Sequence, residues 1–317
     1  MIVTVTLNSA LDRTLTVPNF ARGQRHRASL GLTLAGGKGI NVARALKRLD
    51  VPVVATGLAG GRTGTRIVEE LTNEAILNDF VRIAGESRTS TVVVDPMTNS
   101  FTEINEWGPE VSAAELELLA EKIHYLARAG DIVVFAGTLP RGVDDELYGG
   151  LIRDLNRRQV STVLDSEGMA LRRGVEAEPF LVTPNQREAE SLAGQEFNDD
   201  EDFLMALDAI ADLGARNVLI TTENGCFALV REERAVRRLQ AVAERIEAVS
   251  KVGSGDTLLA GFLAARAQGK AADEALRYGV AAGMASTMEL GAGRFDPREV
   301  TRLAATVQLT ELTPATA

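Results

Sequence analysis

Short apolar runs rich in Val, Ile and Leu alternate along the chain with longer segments whose apolar residues recur at helical spacing. The runs at residues 2–7, 51–56, 131–136, 160–165, 180–183 and 217–222 are each brief and are followed within three residues by Gly, Pro, Asn or Asp. Continuous apolarity over so few residues marks strands buried on both faces, as in a parallel sheet. Residues 40–49, 65–73, 113–129, 145–158, 200–213, 257–267 and 273–290 carry the helical period, and Ser112 with Glu115 predicts a capping box at the third of these. The alternation predicts an α/β body with helices on both faces of a mostly parallel sheet.

Two regions break the rhythm. Residues 14–17 and 30–34, and again 91–94 and 100–104, alternate with period two, which predicts half-exposed antiparallel strands outside the main sheet. Such excursions would form a small β lid (13–35 and 89–105) over an α/β core (1–12, 36–88 and 106–317). The lid's outer face would carry apolar side chains able to self-associate. The Thr/Ala/Pro-rich tail after Gln308 is expected to fray.

The chain of 317 residues is long enough for a substantial core, and its 34 basic and 44 acidic side chains leave a net charge of −10. That balance argues against nucleic acid or an anionic membrane as a partner held by bulk charge. A single cysteine, Cys226, forms no internal disulfide and fits a reducing, cytoplasmic setting. No apolar run approaches the ~18 residues of a spanning helix, and the N-terminus reads as a strand and not as a signal peptide.

Candidate chemistry gathers at three turns. In Gly36-Gly37-Lys38-Gly39-Ile40-Asn41, glycines open a helix beside a cation and an amide, which suits a phosphorylated or polyhydroxylated ligand; a tight loop before a core helix reads equally well. Gly253-Ser254-Gly255-Asp256 joins free backbone amides to a carboxylate, the parts phosphoryl transfer needs, although Asp256 could be a plain helix cap. Asn185 and Glu188 could order the water shell of Mg²⁺ or simply open a helix. No Walker A, G-x-S-x-G or G-x-G-x-x-G signature is present, so those nucleotide and hydrolase classes fall away. His124, Cys226 and Trp107 read as packing residues.

Asn8…Asp12, Gly36 to Ala43, Thr102-Glu103-Ile104-Asn105…Gly108-Pro109, Gly137-Thr138-Leu139-Pro140, Pro184-Asn185…Glu188 and Val252 to Asp256 occur in the order of the PfkB (ribokinase-like) carbohydrate kinases. Over roughly residues 1–300 the chain resembles this family, nearest its 1-phosphofructokinase and tagatose-6-phosphate kinase branch. The resemblance implies a three-layer αβα sandwich with a small antiparallel β lid, a homodimer through that lid, and ATP with Mg²⁺. It implies Asp256 as the base that takes the sugar hydroxyl proton, with Gly253, Ser254 and Gly255 forming the anion hole. Asp12, Gly37 and Asn41 would hold sugar hydroxyls, with Gly36 and Thr138 completing that pocket, and Lys38, Arg88 and Arg27 would meet the substrate phosphate. Asn185 and Glu188 would organise Mg²⁺, and Asn185, Thr222 and Gly225 would lie along the nucleotide. The implied reaction converts fructose 1-phosphate and ATP to fructose 1,6-bisphosphate and ADP. Tagatose 6-phosphate and fructose 6-phosphate are alternative substrates, and a catalytically silent sugar-phosphate sensor is the alternative of another class. Two departures stand out: Ser9 where relatives carry proline, and a segment at 221–225 one residue shorter than their usual pattern.

Overall fold

The computed structural model describes residues 1–232, 235–244 and 246–313. In chain order it opens with β1 (Ile2–Thr6), β2 (Ala10–Thr16), β3 (Leu30–Gly36), α1 (Lys38–Arg48), β4 (Val53–Gly60), α2 (Gly61–Asn73) and β5 (Leu77–Ile83). There follow β6 (Arg88–Asp95), β7 (Ser100–Asn105), α3 (Ala113–Leu126), β8 (Ile132–Ala136), α4 (Leu147–Arg157), β9 (Ser161–Asp165), α5 (Gly168–Val175) and β10 (Leu181–Val182). The last third comprises α6 (Gln186–Ala193), α7 (Asp200–Leu213), β11 (Val218–Thr222), β12 (Gly225–Glu232), β13 (Ala235–Val242), α8 (Ser254–Ala267), α9 (Ala272–Ser286), α10 (Pro297–Ala304) and β14 (Gln308–Glu311).

The apolar runs become one sheet in the order β14-β13-β12-β11-β10-β9-β8-β1-β4-β5, parallel from β11 through β5 and antiparallel from β11 to β14. Its two faces bury separate apolar clusters. One draws on α1, α2, α8, α9 and α10, the other on α3 to α7, so the body has three layers. The predicted capping box is formed: the Ser112 amide donates to Glu115 at 2.8 Å, and the Glu115 amide donates to Ser112 Oγ. Among the described residues no helix is long and apolar enough to cross a membrane.

The period-two excursions form a second sheet, ordered β3-β2-β6-β7. Its outer pairs are antiparallel, while β2 and β6 pair in parallel from Ala10 opposite Arg88 to Thr16 opposite Val94. Leu30, Phe101 and Ile104 are all more than half exposed on it. The expected fraying after Gln308 is corrected in part: Gln308 to Glu311 pair with β13, and Arg237 grips Glu311 at 3.0 Å. A Thr-rich stretch can complete a sheet edge when its partner strand offers a register. Residues 314–317 lie outside the described residues.

Candidate active site

Chain direction sets the position of the site. After β1 the chain builds outward through β4 and β5, then returns to β8 on the other side of β1. The reversal opens a crevice at the carboxyl ends of the strands, where open α/β sheets bind ligands. A cavity of ≈ 1050 Å³ lies there, walled by the ends of β1, β8, β9 and β11 below and by the small sheet above.

Asp12, Gly37, Lys38, Asn41, Arg88, Thr138, Asn185, Glu188, Gly253, Ser254, Gly255 and Asp256 all line this cavity. Thr222 and Gly225 line an adjoining cavity of ≈ 240 Å³, which shares Ser254 and Gly255 with the first. They pair across the tight β11–β12 hairpin, whose turn residues Glu223 and Asn224 lie at the middle of the shortened segment 221–225. Gly36 stands behind the wall: a Cβ there would fall 2.0 Å from Asp12 Oδ2, so glycine is what lets that carboxyl sit flat against β3. Arg27 is not brought in. It is exposed on the long connection between β2 and β3 and does not line the cavity.

Asp256 sits in the first turn of α8, 6% exposed, and accepts a 2.8 Å hydrogen bond from Asn41 Nδ2. Burial, reinforced by the negative charge of Asp165, pushes its pKa up to about 7, against the pull of Lys38 and the Asn41 bond. Gly253 caps the helix at φ 77°, and a side chain on it would strike Ala292; the turn is thus free to aim amides at the cavity. Asp12 is also raised, to about 6, first by burial and then by Glu103, while Arg88 and Arg44 oppose. Arg88 reaches over from β6 and donates to the carbonyls of Asn8 and Glu106. Asn8 Nδ2 in turn orients the Thr138 hydroxyl at 3.1 Å.

Lys38 is gripped by Asp165 at 2.7 Å and lies 3.7 Å from Glu188 Oε1. Burial alone would depress its pKa, but Asp165, Glu188 and Asp256 together hold it above the usual lysine range. Asn185 and Glu188 cap α6 reciprocally, each backbone amide donating to the other's side chain at 2.8 and 3.0 Å. The modest reading of that motif therefore holds, and it leaves Glu188 Oε1 turned toward Lys38. Burial raises the Glu188 pKa, with Asp165 adding to it and Lys38 opposing. Among the described residues no three His, Cys, Asp or Glu side chains converge to hold a metal. One carboxylate next to bound phosphates is instead a donor set that suits Mg²⁺, which keeps much of its water.

Sequence reasoning missed Asp165 as a site residue; its signal was a carboxylate ending a parallel strand on the carboxyl side of the sheet. Trp107, read as packing, is instead 79% exposed and lines the cavity. Cys226 is buried, as a small apolar residue would be. His124 faces Asp154, away from the cavity.

Comparison with known proteins agrees with this geometry. Residues 4–298 match the pfkB family of carbohydrate kinases. The chain is 34% identical over 297 residues to a 1-phosphofructokinase of Bacillus subtilis, covering 93% of this chain and 96% of the relative. It is 31% identical to a D-tagatose-1-phosphate kinase of Bacillus licheniformis, over 98% of this chain and 100% of the relative. Phosphofructokinase-2 from Escherichia coli in complex with fructose-6-phosphate superposes with a TM-score of 0.86 at 27% identity, over 96% of this chain and 98% of that one. The chain belongs to the pfkB family and is a sugar kinase.

Proposed function

We propose that this protein transfers the γ-phosphoryl group of MgATP to the C6 hydroxyl of fructose 1-phosphate, giving fructose 1,6-bisphosphate and ADP. The observation that carries the reading is the buried Asp256, bonded to Asn41 beside the amides of Gly253 to Gly255, in the same cavity as Asp12, Lys38 and Arg88. A carboxylate with a raised proton affinity is a competent base at neutral pH. In this reading Asp256 takes the hydroxyl proton while the glycine amides receive charge from the moving phosphoryl group. Asp12, Gly37, Asn41 and Thr138 hold the sugar, and Gly36 makes room for Asp12. Arg88 meets the substrate phosphate from the lid side. Lys38 is the second phosphate cation, paired with Asp165 and Glu188 until a phosphate takes their place.

Glu188 and Asn185 are the residues that would hold Mg²⁺, mainly through water, and the ion would neutralise phosphate charge there. Thr222 and Gly225 belong to the nucleotide's base end. The segments 13–35 and 89–105 form a lid on the core of residues 1–12, 36–88 and 106–317, closing over bound sugar phosphate to exclude water. The small sheet pairs with a second copy through its exposed apolar side chains, Leu30 and Phe101 on the cavity side and Ile104 on the other face. The enzyme works in the cytoplasm on small molecules, with neither nucleic acid nor membrane as partner.

D-Tagatose 1-phosphate is the second reading, favoured by the relative of that specificity. It differs from fructose 1-phosphate only at C4, and one hydroxyl contact is worth about 1–3 kcal/mol when its loss leaves a buried group unpaired. An ADP-release assay with fructose 1-phosphate, tagatose 1-phosphate, tagatose 6-phosphate, fructose 6-phosphate and free fructose decides the matter. A lead in kcat/KM of about tenfold or more for fructose 1-phosphate upholds the proposal. A lead for another ketose phosphate replaces the substrate, and sugar-phosphate binding without turnover favours a sensor.

A further inference from the structure

We propose that Arg44 is a positioning residue for the transfer step: it holds the side-chain amide of Asn41 with the oxygen turned inward, so that the nitrogen donates to Asp256. The Arg44 side chain is 2% exposed. Its Nε and Nη2 fork onto Glu74 at 2.6 and 2.9 Å, and Nη2 also reaches the Ala35 carbonyl at 2.7 Å. Nη1 donates to the Ala292 carbonyl at 3.2 Å and to Asn41 Oδ1 at 3.4 Å. A guanidinium only donates and an ionised carboxylate only accepts. An amide placed between them therefore satisfies both in one orientation alone. Flipped, it would set its NH₂ against the guanidinium and its oxygen against the carboxylate.

The remaining contacts give this cation its reach. Ala35 lies at the root of the small sheet, in β3, and Ala292 is the residue packed behind Gly253 of the anion hole. Glu74 caps α2 and anchors the fork from outside the cavity. One buried side chain thus ties the lid's root, the sugar-holding amide and the loop behind the phosphoryl site. The charged groups facing Asp256 are Asp165 of β9, Lys38 of α1 and Asp12 of β2, and Arg44 itself faces Asp12. An N–H donated to a carboxylate favours its ionised form. Releasing the Asn41 amide therefore raises the proton affinity of Asp256 and moves the acid limb of the rate profile to higher pH.

The inference rests on Asp256 as the base. Its test compares kcat of R44K, N41A, R44K/N41A and E74Q across pH about 5 to 9, with fructose 1-phosphate and MgATP saturating. R44K keeps the charge and most of the packing but cannot fork. It is expected to lower kcat about tenfold and to shift the acid limb upward, and the double variant should be no slower than N41A alone, because both act through one amide. E74Q should shift the limb in the same direction by less, and it carries the test if R44K fails to fold. Losses that multiply in the double variant, or a slower R44K with an unmoved acid limb, overturn the proposal in favour of general packing. An Asp256→Asn enzyme that still turns over is a separate failure, that of the base itself, and the positioning role falls with it.

Discussion

Replacing Asp256 by asparagine exchanges one oxygen for a nitrogen and removes a charge from a position 6% exposed. The effects on rate and on stability have opposite signs. With its pKa carried from 3.8 to about 7, the ionised carboxylate costs the folded state up to about 4 kcal/mol at neutral pH and above, at ~1.4 kcal/mol per pKa unit. That cost is absent below the unfolded-state pKa of ~3.9, grows as pH rises, and levels off above the folded-state pKa. The amide variant escapes it, but its NH₂ replaces a carboxyl oxygen in a buried site and must find an acceptor there; a net gain of about 1–2 kcal/mol remains, or a few degrees in Tm. Turnover should fall at least about 10²-fold, while calorimetric binding of fructose 1-phosphate persists. Melting curves at pH 8 and pH 5 alongside an ADP-release assay measure both effects, and the gain in Tm should be the larger at pH 8. A kcat near wild type refutes the base assignment. A lower Tm at pH 8 refutes the electrostatic account of this site.

Arg88→Gln should raise KM for phosphorylated ketoses about tenfold or more while leaving KM for MgATP in place, as loss of a charge-assisted phosphate contact requires; an unchanged sugar-phosphate KM moves that phosphate elsewhere. Gly36→Ala puts a methyl group 2.0 Å from Asp12 Oδ2, and the displaced carboxyl should cost about 1–3 kcal/mol of stability together with sugar affinity, read by melting and by KM. Glu188→Gln should raise the Mg²⁺ concentration needed for half-maximal rate, with activity recovering at high Mg²⁺; an unchanged Mg²⁺ titration counts against its role. Trp107 is the chain's single tryptophan and stands at the cavity rim, so its emission should shift to the blue when fructose 1-phosphate binds and the small sheet closes. A spectrum indifferent to ligand argues against closure over the sugar.

Buried parallel strands announce themselves because both faces are apolar, which is why the runs at 2–7 and 131–136 were legible as β1 and β8. β13 and β14 carry Arg, Gln, Thr and Glu at an edge and offered no such run, so those two strands were not read. The parallel pairing of β2 with β6 joins strands far apart in sequence, and no local pattern encodes such a match. In the site, glycines beside Lys38 and Asp256 were readable because the backbone itself must turn there. Arg44 was not, since its role arises only when α1 meets distant partners, and Asp165 showed no more than a carboxylate at a strand end until β9 met Lys38. Asn185 and Glu188 show why motif and cap are not rival readings: the cap fixes the geometry from which Glu188 Oε1 faces the cavity.

The bond from Asn41 to Asp256 spans 215 positions of the chain. At about 5–20 residues per second, a ribosome needs about 10–40 s to travel from one to the other. On the proposed roles, the half that holds the sugar, with Asp12, Asn41 and Arg88, is made before the base and the anion hole. On that reading a nascent chain would be neither a partial kinase nor an ATP-consuming one. Only when α8 docks against α1 do the two halves meet, so on that reading activity would begin late in the assembly of the fold.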